Sequence, residues 1–255
     1  MNLSYRAYYV WKRNLMSYKR FIIPTFLVSL GEPLFYLVTF GIGLGAYVGV
    51  IGNRSYLEFL VPGVMVSTVM MAATFECLYG TFVRMIHEKI YDALISSPVS
   101  AEDIVAGDIA WGITRGIING SLLVAVGAML GVVHLSLLGI VLMMLLMTAM
   151  GFIFSSLAMI VTAFAPNFDF FNYYSELFIT PMFFFSGVFF PLDKFPGWVR
   201  ILADCLPLTH GVEISRAIFS GTYSAGLLLN LLVIICFGAV GFSFALIFMK
   251  RRLIK

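Results

Sequence analysis

Residues 136–164 read SLLGIVLMMLLMTAMGFIFSSLAMIVTAF, an apolar run that contains no Asp, Glu, Lys or Arg. As a helix rising about 1.5 Å per residue, it exceeds the ~20 residues needed to cross the hydrocarbon core of a bilayer. Soluble chains divide their apolar residues into helical stripes or strand alternations, so a block of this kind points to lipid. Five more blocks flank it, at about 24–48, 59–83, 104–132, 172–191 and 225–249. The 255 residues are 61% hydrophobic and only 11% charged, against roughly 25% charged in soluble domains. The expected fold class is all-α: a polytopic membrane protein with six transmembrane helices in one domain over residues 1–255.

The basic residues set the expected orientation. Arg6, Lys12, Arg13, Lys19 and Arg20 precede the first block, and Lys250, Arg251, Arg252 and Lys255 follow the last. The positive-inside rule then places both termini in the cytoplasm, which an even number of spans satisfies. The net charge of +3 is not gathered into an interleaved basic patch, so nucleic acid is not an expected partner. Cys77, Cys205 and Cys236 are far apart and odd in number, which supports neither a disulfide framework nor a zinc cluster. The first apolar run follows a basic, aromatic stretch and lacks a small-residue cleavage site, so the first span is expected to be retained.

Two regions depart from the plain pattern of spans. In residues 1–22, Leu3, Ala7, Val10, Trp11, Leu15, Tyr18 and Ile22 recur at helical spacing with Arg6, Arg13 and Arg20 opposite. The spacing predicts an amphipathic helix at the membrane interface, with a solvated helix face as the plainer reading. Residues 192–224 are too apolar for a simple loop yet carry Asp193, Lys194, Arg200, Asp204, His210, Glu213 and Arg216, with Pro196 and Pro207. A charge at the centre of a span costs about 2.5–3.5 kcal/mol on insertion scales, so a seventh span is disfavoured. The expectation is a re-entrant helical hairpin before the sixth span, with helices over about 197–206 and 208–219. The re-entrant residues singled out are Pro207, His210, Glu213 and Arg216.

No glycine-rich loop ending in Gly-Lys-Ser or Gly-Lys-Thr occurs, so no ATPase site is expected here. Neither a nucleophile with its base nor a pair of carboxylates suggests an enzyme. His210 and Glu213 share a helix face, but two ligands make a poor metal site, and none is assigned. The longest polar interruption, Arg84 to Asp108, contains His87, Glu88, Lys89, Asp92 and Pro98. The spacing of Ile86, Ile90 and Leu94 predicts a short helix over Met85–Ile95, stopped by Pro98, with Ser100 as the next N-cap and Asp103 at N3. Such a helix on the cytoplasmic side is either a docking knob for a soluble partner or a solvated connector.

Charges inside the blocks are expensive and are functional candidates; they are Glu32, Glu76, Arg115 and Glu176. Glu76 and Arg115 lie on the second and third spans, where pairing and substrate contact are both open. Glu32 precedes Pro33, and Glu176 sits early in the fifth block. The end of that block is dense in aromatics, Phe183, Phe184, Phe185, Phe189 and Phe190. These rings either face lipid or form a constriction that parts for an amphipathic substrate. Gly112, Gly116 and Gly120, continued by Gly127 and Gly131, make a face on which another helix can approach closely, and Gly41 and Gly45 repeat the spacing weakly.

Two stretches carry a resemblance. Phe189 to Gly221, FFPLDKFPGWVRILADCLPLTHGVEISRAIFSG, and Leu94 to Gly107, LISSPVSAEDIVAG, resemble ordered motifs of the ABC-2-type exporter permeases. Within that family the chain looks most like the branch of nodulation lipo-oligosaccharide exporters and daunorubicin-type drug exporters. The resemblance implies a multi-pass protein of the bacterial cytoplasmic (inner) membrane. It also implies a homodimer of permeases on two ABC ATPase subunits, with ATP and magnesium on the ATPase and no cofactor on this chain. By it, Met85 to Pro98 is the coupling helix, with His87, Glu88, Lys89, Asp92 and Pro98 at the ATPase. Cargo would be a lipid-linked glycan, lipo-oligosaccharide or hydrophobic drug, with membrane lipids around the permease. An ion-coupled secondary transporter or channel is the rival reading; it requires an inverted repeat or ion-coupling carboxylates, and no clear repeat is seen.

Overall fold

The computed structural model describes residues 3–19, 31, 34–51, 54–133 and 136–254. In chain order the elements are α1 (Ala7–Lys19), α2 (Leu34–Val48) and a two-residue antiparallel strand pair, β1 (Val50–Ile51) with β2 (Arg54–Ser55). Then come α3 (Tyr56–His87), α4 (Ile90–Ile95), α5 (Ala101–Met129) and α6 (Leu137–Phe164). The chain continues with α7 (residues 169–185), α8 (Gly197–Asp204), α9 (Pro207–Ser220) and α10 (Leu227–Leu253).

Four of these helices, α3, α5, α6 and α10, are long and apolar enough to cross a membrane. Their starts follow from local chemistry. Ser55 caps α3 by accepting from the Glu58 amide at 3.3 Å while the Glu58 carboxylate accepts from the Ser55 amide at 3.0 Å. The same reciprocal box, Ser100 with Asp103, starts α5 as its spacing predicts, and each such box satisfies two orphan helix N–H groups.

Of the two remaining blocks, the first is described only in part and the fifth forms a shorter helix than the six-span expectation requires. The start of the first block, including Glu32, lies outside the described residues; residues 34–48 form α2. The fifth block forms α7, which stops at residue 185, short of the ~20 residues of a perpendicular crossing. Gly187 explains the stop. Its φ of 76° is a left-handed conformation that side chains rarely adopt, and an added Cβ would also lie 3.0 Å from Leu192.

The small-residue face of α5 makes the centre of the bundle. A Cβ on Gly112 would collide with Ser155 of α6, and Cβ atoms on Gly116 and Gly120 would come within 2.9 and 2.7 Å of Val69 of α3. Three helices therefore meet at backbone distance, as small-residue spacing permits. Around them Val64, Val69, Met150, Phe154 and Val212 form part of one buried cluster.

The segment before α10 folds as two helices close to the predicted bounds. Pro207 opens α9, where its missing N–H costs nothing, and Gly221 closes it at φ 66°. α9 is sunk into the bundle rather than laid upon it. Ser215 Oγ donates to the Pro62 carbonyl of α3 at 3.1 Å, and Gly211 packs on Met150 and Val66.

Candidate functional site

α1, α4, the start of α5 and the end of α10 lie together at one end of the bundle, called basal below. The Ser4 amide donates to Asp103 Oδ1 at 2.6 Å, Lys250 Nζ to Glu102 Oε1 at 2.8 Å, and Arg6 to the Pro98 carbonyl. Trp11 Nε1 donates to Thr114 Oγ1 at 2.9 Å. α1 is therefore docked on α5 through its polar side chains as well as its apolar ones. The expected apolar stripe is present in Val10, but the other buried residue of α1 is Asn14.

Asn14 is buried because it meets Asp108, which is wholly inaccessible about two turns inside α5. Asp108 Oδ1 accepts from Asn14 Nδ2 at 2.6 Å. Oδ2 accepts from Thr81 Oγ1 of α3 at 3.3 Å and from the Tyr91 hydroxyl of α4, with Arg84 Nη2 at 3.5 Å. One carboxylate thus joins α1, α3 and α4 to α5. A buried charge is tolerable only when paired and fully hydrogen-bonded, and this one is. Burial pushes the Tyr91 phenol well above its ordinary pKa, and the Asp108 charge pushes the same way; Tyr91 therefore remains a donor throughout the physiological range.

Lys89 lets Tyr91 reach inward. The sequence predicts one helix over Met85–Ile95, but α3 runs through His87 and the chain breaks at Lys89, whose φ of 50° is left-handed. α4 then restarts at Ile90 in a new direction. The correction has a physical cause: the break turns the Tyr91 hydroxyl onto Asp108 while Met85 stays buried on α3, and a residue with a Cβ accepts αL only where packing rewards it. His87, Glu88, Lys89, Asp92 and Pro98 are all exposed around this break, and the His87 ring stacks on Phe168 at 5.4 Å.

Glu76 lies between two guanidinium groups. Its Oε1 accepts from Arg84 Nη1 at 2.9 Å, and its Oε2 stands 3.4 Å from Arg115 Nε. Arg115 also lies over the Tyr18 ring of α1, 4.7 Å from its centroid. Glu176, expected among the buried charges, is exposed on the outer side of α7 beside Leu177 and Phe178.

Two hollows meet at this ion pair. The upper, of about 340 Å³, is mostly apolar and includes Tyr36, Met71, Phe75 and Phe183. The lower, of about 460 Å³, opens at the basal end between α1 and α3 and includes Arg13, Tyr18, Arg84 and Trp111. Both are lined by Glu76, Tyr79, Gly80 and Arg115. The aromatic stretch divides between two roles. Phe183 and Phe189 are buried and touch each other at 4.9 Å, whereas Phe184, Phe185 and Phe190 are exposed.

At the opposite end, His210 meets Asn230 Oδ1 at 2.8 Å and the Asp204 carbonyl at 2.9 Å, and Asn230 Nδ2 donates to Glu213 Oε2 at 2.7 Å. Arg216 reaches across to the turn after α7, donating to the Gly187 and Val188 carbonyls at 2.6 and 3.2 Å with its guanidinium 3.7 Å from the Phe59 centroid. Pro207 is buried at the head of α9. These residues pin α9 to α3, α7 and α10 beside an open hollow of about 810 Å³.

The sequence reading missed Asn14, Thr81, Tyr91 and Asp108. Asp108 had a signal: a helix capped at Ser100 places position 108 two turns inside it, among apolar neighbours, rather than in the preceding loop. Asn14 and Tyr91 had none, since each looks like an ordinary member of an amphipathic helix.

A family model described as ABC-2 type transporter matches residues 5–220 of the chain. Nodulation protein J of Rhizobium meliloti (strain 1021) is 36% identical over 244 residues, covering 96% of this chain and 92% of that protein. Nodulation protein J of Rhizobium leguminosarum bv. viciae is 36% identical over 246 residues, covering 96% and 94%. The inner membrane transport permease YadH of Escherichia coli (strain K12) is 24% identical over 228 residues, covering 89% and 88%.

Proposed function

This chain belongs to the ABC-2 type transporter family, and from that premise we propose that it is the permease of an exporter powered by a separate ABC ATPase. It works as two copies in the bacterial inner membrane, with the basal end in the cytoplasm. Nucleotide and magnesium sit on the ATPase. The cargo is an amphiphile, a reading supported by a mostly apolar upper hollow that adjoins a lower one carrying Arg13, Arg84, Glu88 and Arg115.

The observation that carries the mechanism is the fourfold junction at Asp108. α4 with the exposed Glu88 and Asp92 is a small knob at the basal face, and Tyr91 ties that knob to a carboxylate inside a spanning helix. Movement imposed on α4 is therefore passed to α5 and to the Thr81–Arg84 end of α3 rather than absorbed in a loose loop. The ATPase must bind the two arrangements of this junction with different free energies, because only differential binding shifts a conformational equilibrium.

The test uses Glu88→Lys and Asp92→Lys. Both side chains are exposed, so folding is expected to be unchanged, while stimulation of ATP hydrolysis by the permease and ATP-driven flux both fall at least tenfold. Normal flux in the two variants would remove α4 as the docking element.

A further inference from the structure

The ion pair between the two hollows is incompletely satisfied, and what it lacks is all of one kind. Buried side-chain nitrogens without a hydrogen-bond partner among the described residues include Arg13 Nη1, Arg84 Nε, Arg115 Nε and Arg115 Nη1. All three arginines line the lower hollow. Of the carboxylates beside them, Asp108 accepts hydrogen bonds on both oxygens and Glu76 Oε1 takes Arg84, while Glu76 Oε2 only faces Arg115 and the exposed Glu88 also lines the lower hollow. Four buried guanidinium N–H sites stay without a partner, more than the one free oxygen of Glu76 beside them can satisfy.

A buried donor left unmet is destabilising, and more so when it is charged. Three guanidinium groups with spare N–H groups around one hollow match a planar or tetrahedral oxyanion, which guanidinium forks bind through paired charge-assisted hydrogen bonds. Arg115 also lines the upper hollow, whose walls are mostly apolar and include Met71, Phe75 and Phe183 beside Ser67, Thr68 and Asn119. A group bound at Arg115 could therefore carry an apolar tail upward without leaving the same cleft. Glu76 competes for the same guanidinium, and its 3.4 Å separation from Arg115 Nε is an ion pair too long for a good hydrogen bond.

We infer that Arg115, assisted by Arg13 and Arg84, is a binding site for the oxyanion head group of an acidic amphiphile, with Glu76 as the internal competitor that the head group displaces. The site rests on the exporter reading only for its placement on the cargo route. An arriving phosphate, sulfate or carboxylate takes over the Arg115 N–H groups, and Glu76 stays with Arg84. The same exchange gives selectivity: a zwitterionic head brings its own cation toward Arg13 and is disfavoured.

The experiment is native mass spectrometry of the purified chain in mild detergent, with no ATPase and no ATP. The probes are a short-chain phosphatidic acid, a short-chain phosphatidylcholine and inorganic phosphate. The wild type is expected to hold phosphatidic acid at least tenfold more tightly than phosphatidylcholine, and millimolar phosphate is expected not to displace it. Arg115→Gln should lose that preference, Arg115→Lys should recover part of it, and Glu76→Gln should bind more tightly than wild type. Arg54→Gln, in the hollow at the other end, should bind as wild type does. Equal retention of the two lipids, unchanged binding in Arg115→Gln, or equal weakening in Glu76→Gln and Arg115→Gln would each overturn the inference. Displacement by phosphate as effectively as by lipid would overturn it too, by showing a free-anion site. A chain that passes every arm yet shows no ATP-driven flux contradicts the exporter reading and leaves this site standing.

Discussion

Asp108→Asn is the sharpest perturbation of the basal junction, because it keeps size and shape and changes only charge and one acceptor. The carboxylate accepts on both sides: Asn14 on Oδ1, Thr81 and Tyr91 on Oδ2. An amide must turn its NH₂ toward one of them. The cheaper orientation faces Asn14 and loses one hydrogen bond to a charged acceptor, about 1.5–3 kcal/mol. Arg84, which has Asp108 at 3.5 Å and Glu76 at 2.9 Å, loses one of its two counter-charges as well. The sum is about 3 kcal/mol, or roughly a hundredfold in the equilibrium that docks α1 and α4 onto α5. Hydrogen–deuterium exchange in detergent reads this directly. Amides of residues 7–19 and 90–95 should exchange up to about a hundredfold faster, with residues 207–220 unchanged, and ATP-driven flux should fall while the chain still binds its ATPase. Unchanged exchange in α1 and α4, or equal acceleration across the whole chain, would refute the idea of Asp108 as a local fastener.

Tyr91→Phe removes one of those bonds, so exchange should accelerate in α4 alone, by about 1.5 kcal/mol or some tenfold; added to Asp108→Asn, whose amide oxygen still accepts from Tyr91 but without charge, it should cost about half as much, and full additivity in the double-mutant cycle would disprove the charged contact. Gly112→Ala forces a methyl into Ser155 and Cys77 and should destabilise by about 1–3 kcal/mol as overpacking does, seen as a lower melting temperature. Gly197→Ala meets nothing within 4 Å and should leave melting unchanged. Arg216→Ala leaves the Gly187 and Val188 carbonyls without their donor and should make residues 186–196 sensitive to protease, with Arg216→Lys restoring only part because lysine lacks the fork and the stacking plane.

Much of the architecture was legible from residue order alone. The charge-free run at 136–164 became α6, the Ser100–Asp103 box starts α5, and α9, Pro207–Ser220, lies within one residue of the helix expected over 208–219. The helix faces were less legible, because polarity reports exposure only on average. Asn14 sits on the buried side of an amphipathic helix because Asp108 lies across from it, a relation no single segment contains. The break at Lys89 is similar: lysine carries no preference for a left-handed backbone, and the turn brings Tyr91 onto Asp108 while Met85 stays buried on α3. Pairing across spans fared better where the cost of an isolated charge forces a partner. Glu76 and Arg115 could be matched by that rule, but Arg84, closer to Glu76 than Arg115 is, looked like the first residue of a loop. Glu176 shows the reverse error, since an apolar sequence neighbourhood did not place it in the interior.

In the proposed cycle, power arrives from another protein through the basal end. The direct measurement is ATP-dependent movement of labelled amphiphiles from the native membrane across proteoliposomes holding this chain, with and without its co-purified ABC ATPase. Sustained flux that needs the ATPase and disappears in Asp92→Lys is the predicted result. Flux of the same size from this chain alone, whether with ATP or with an imposed ion gradient, would contradict it.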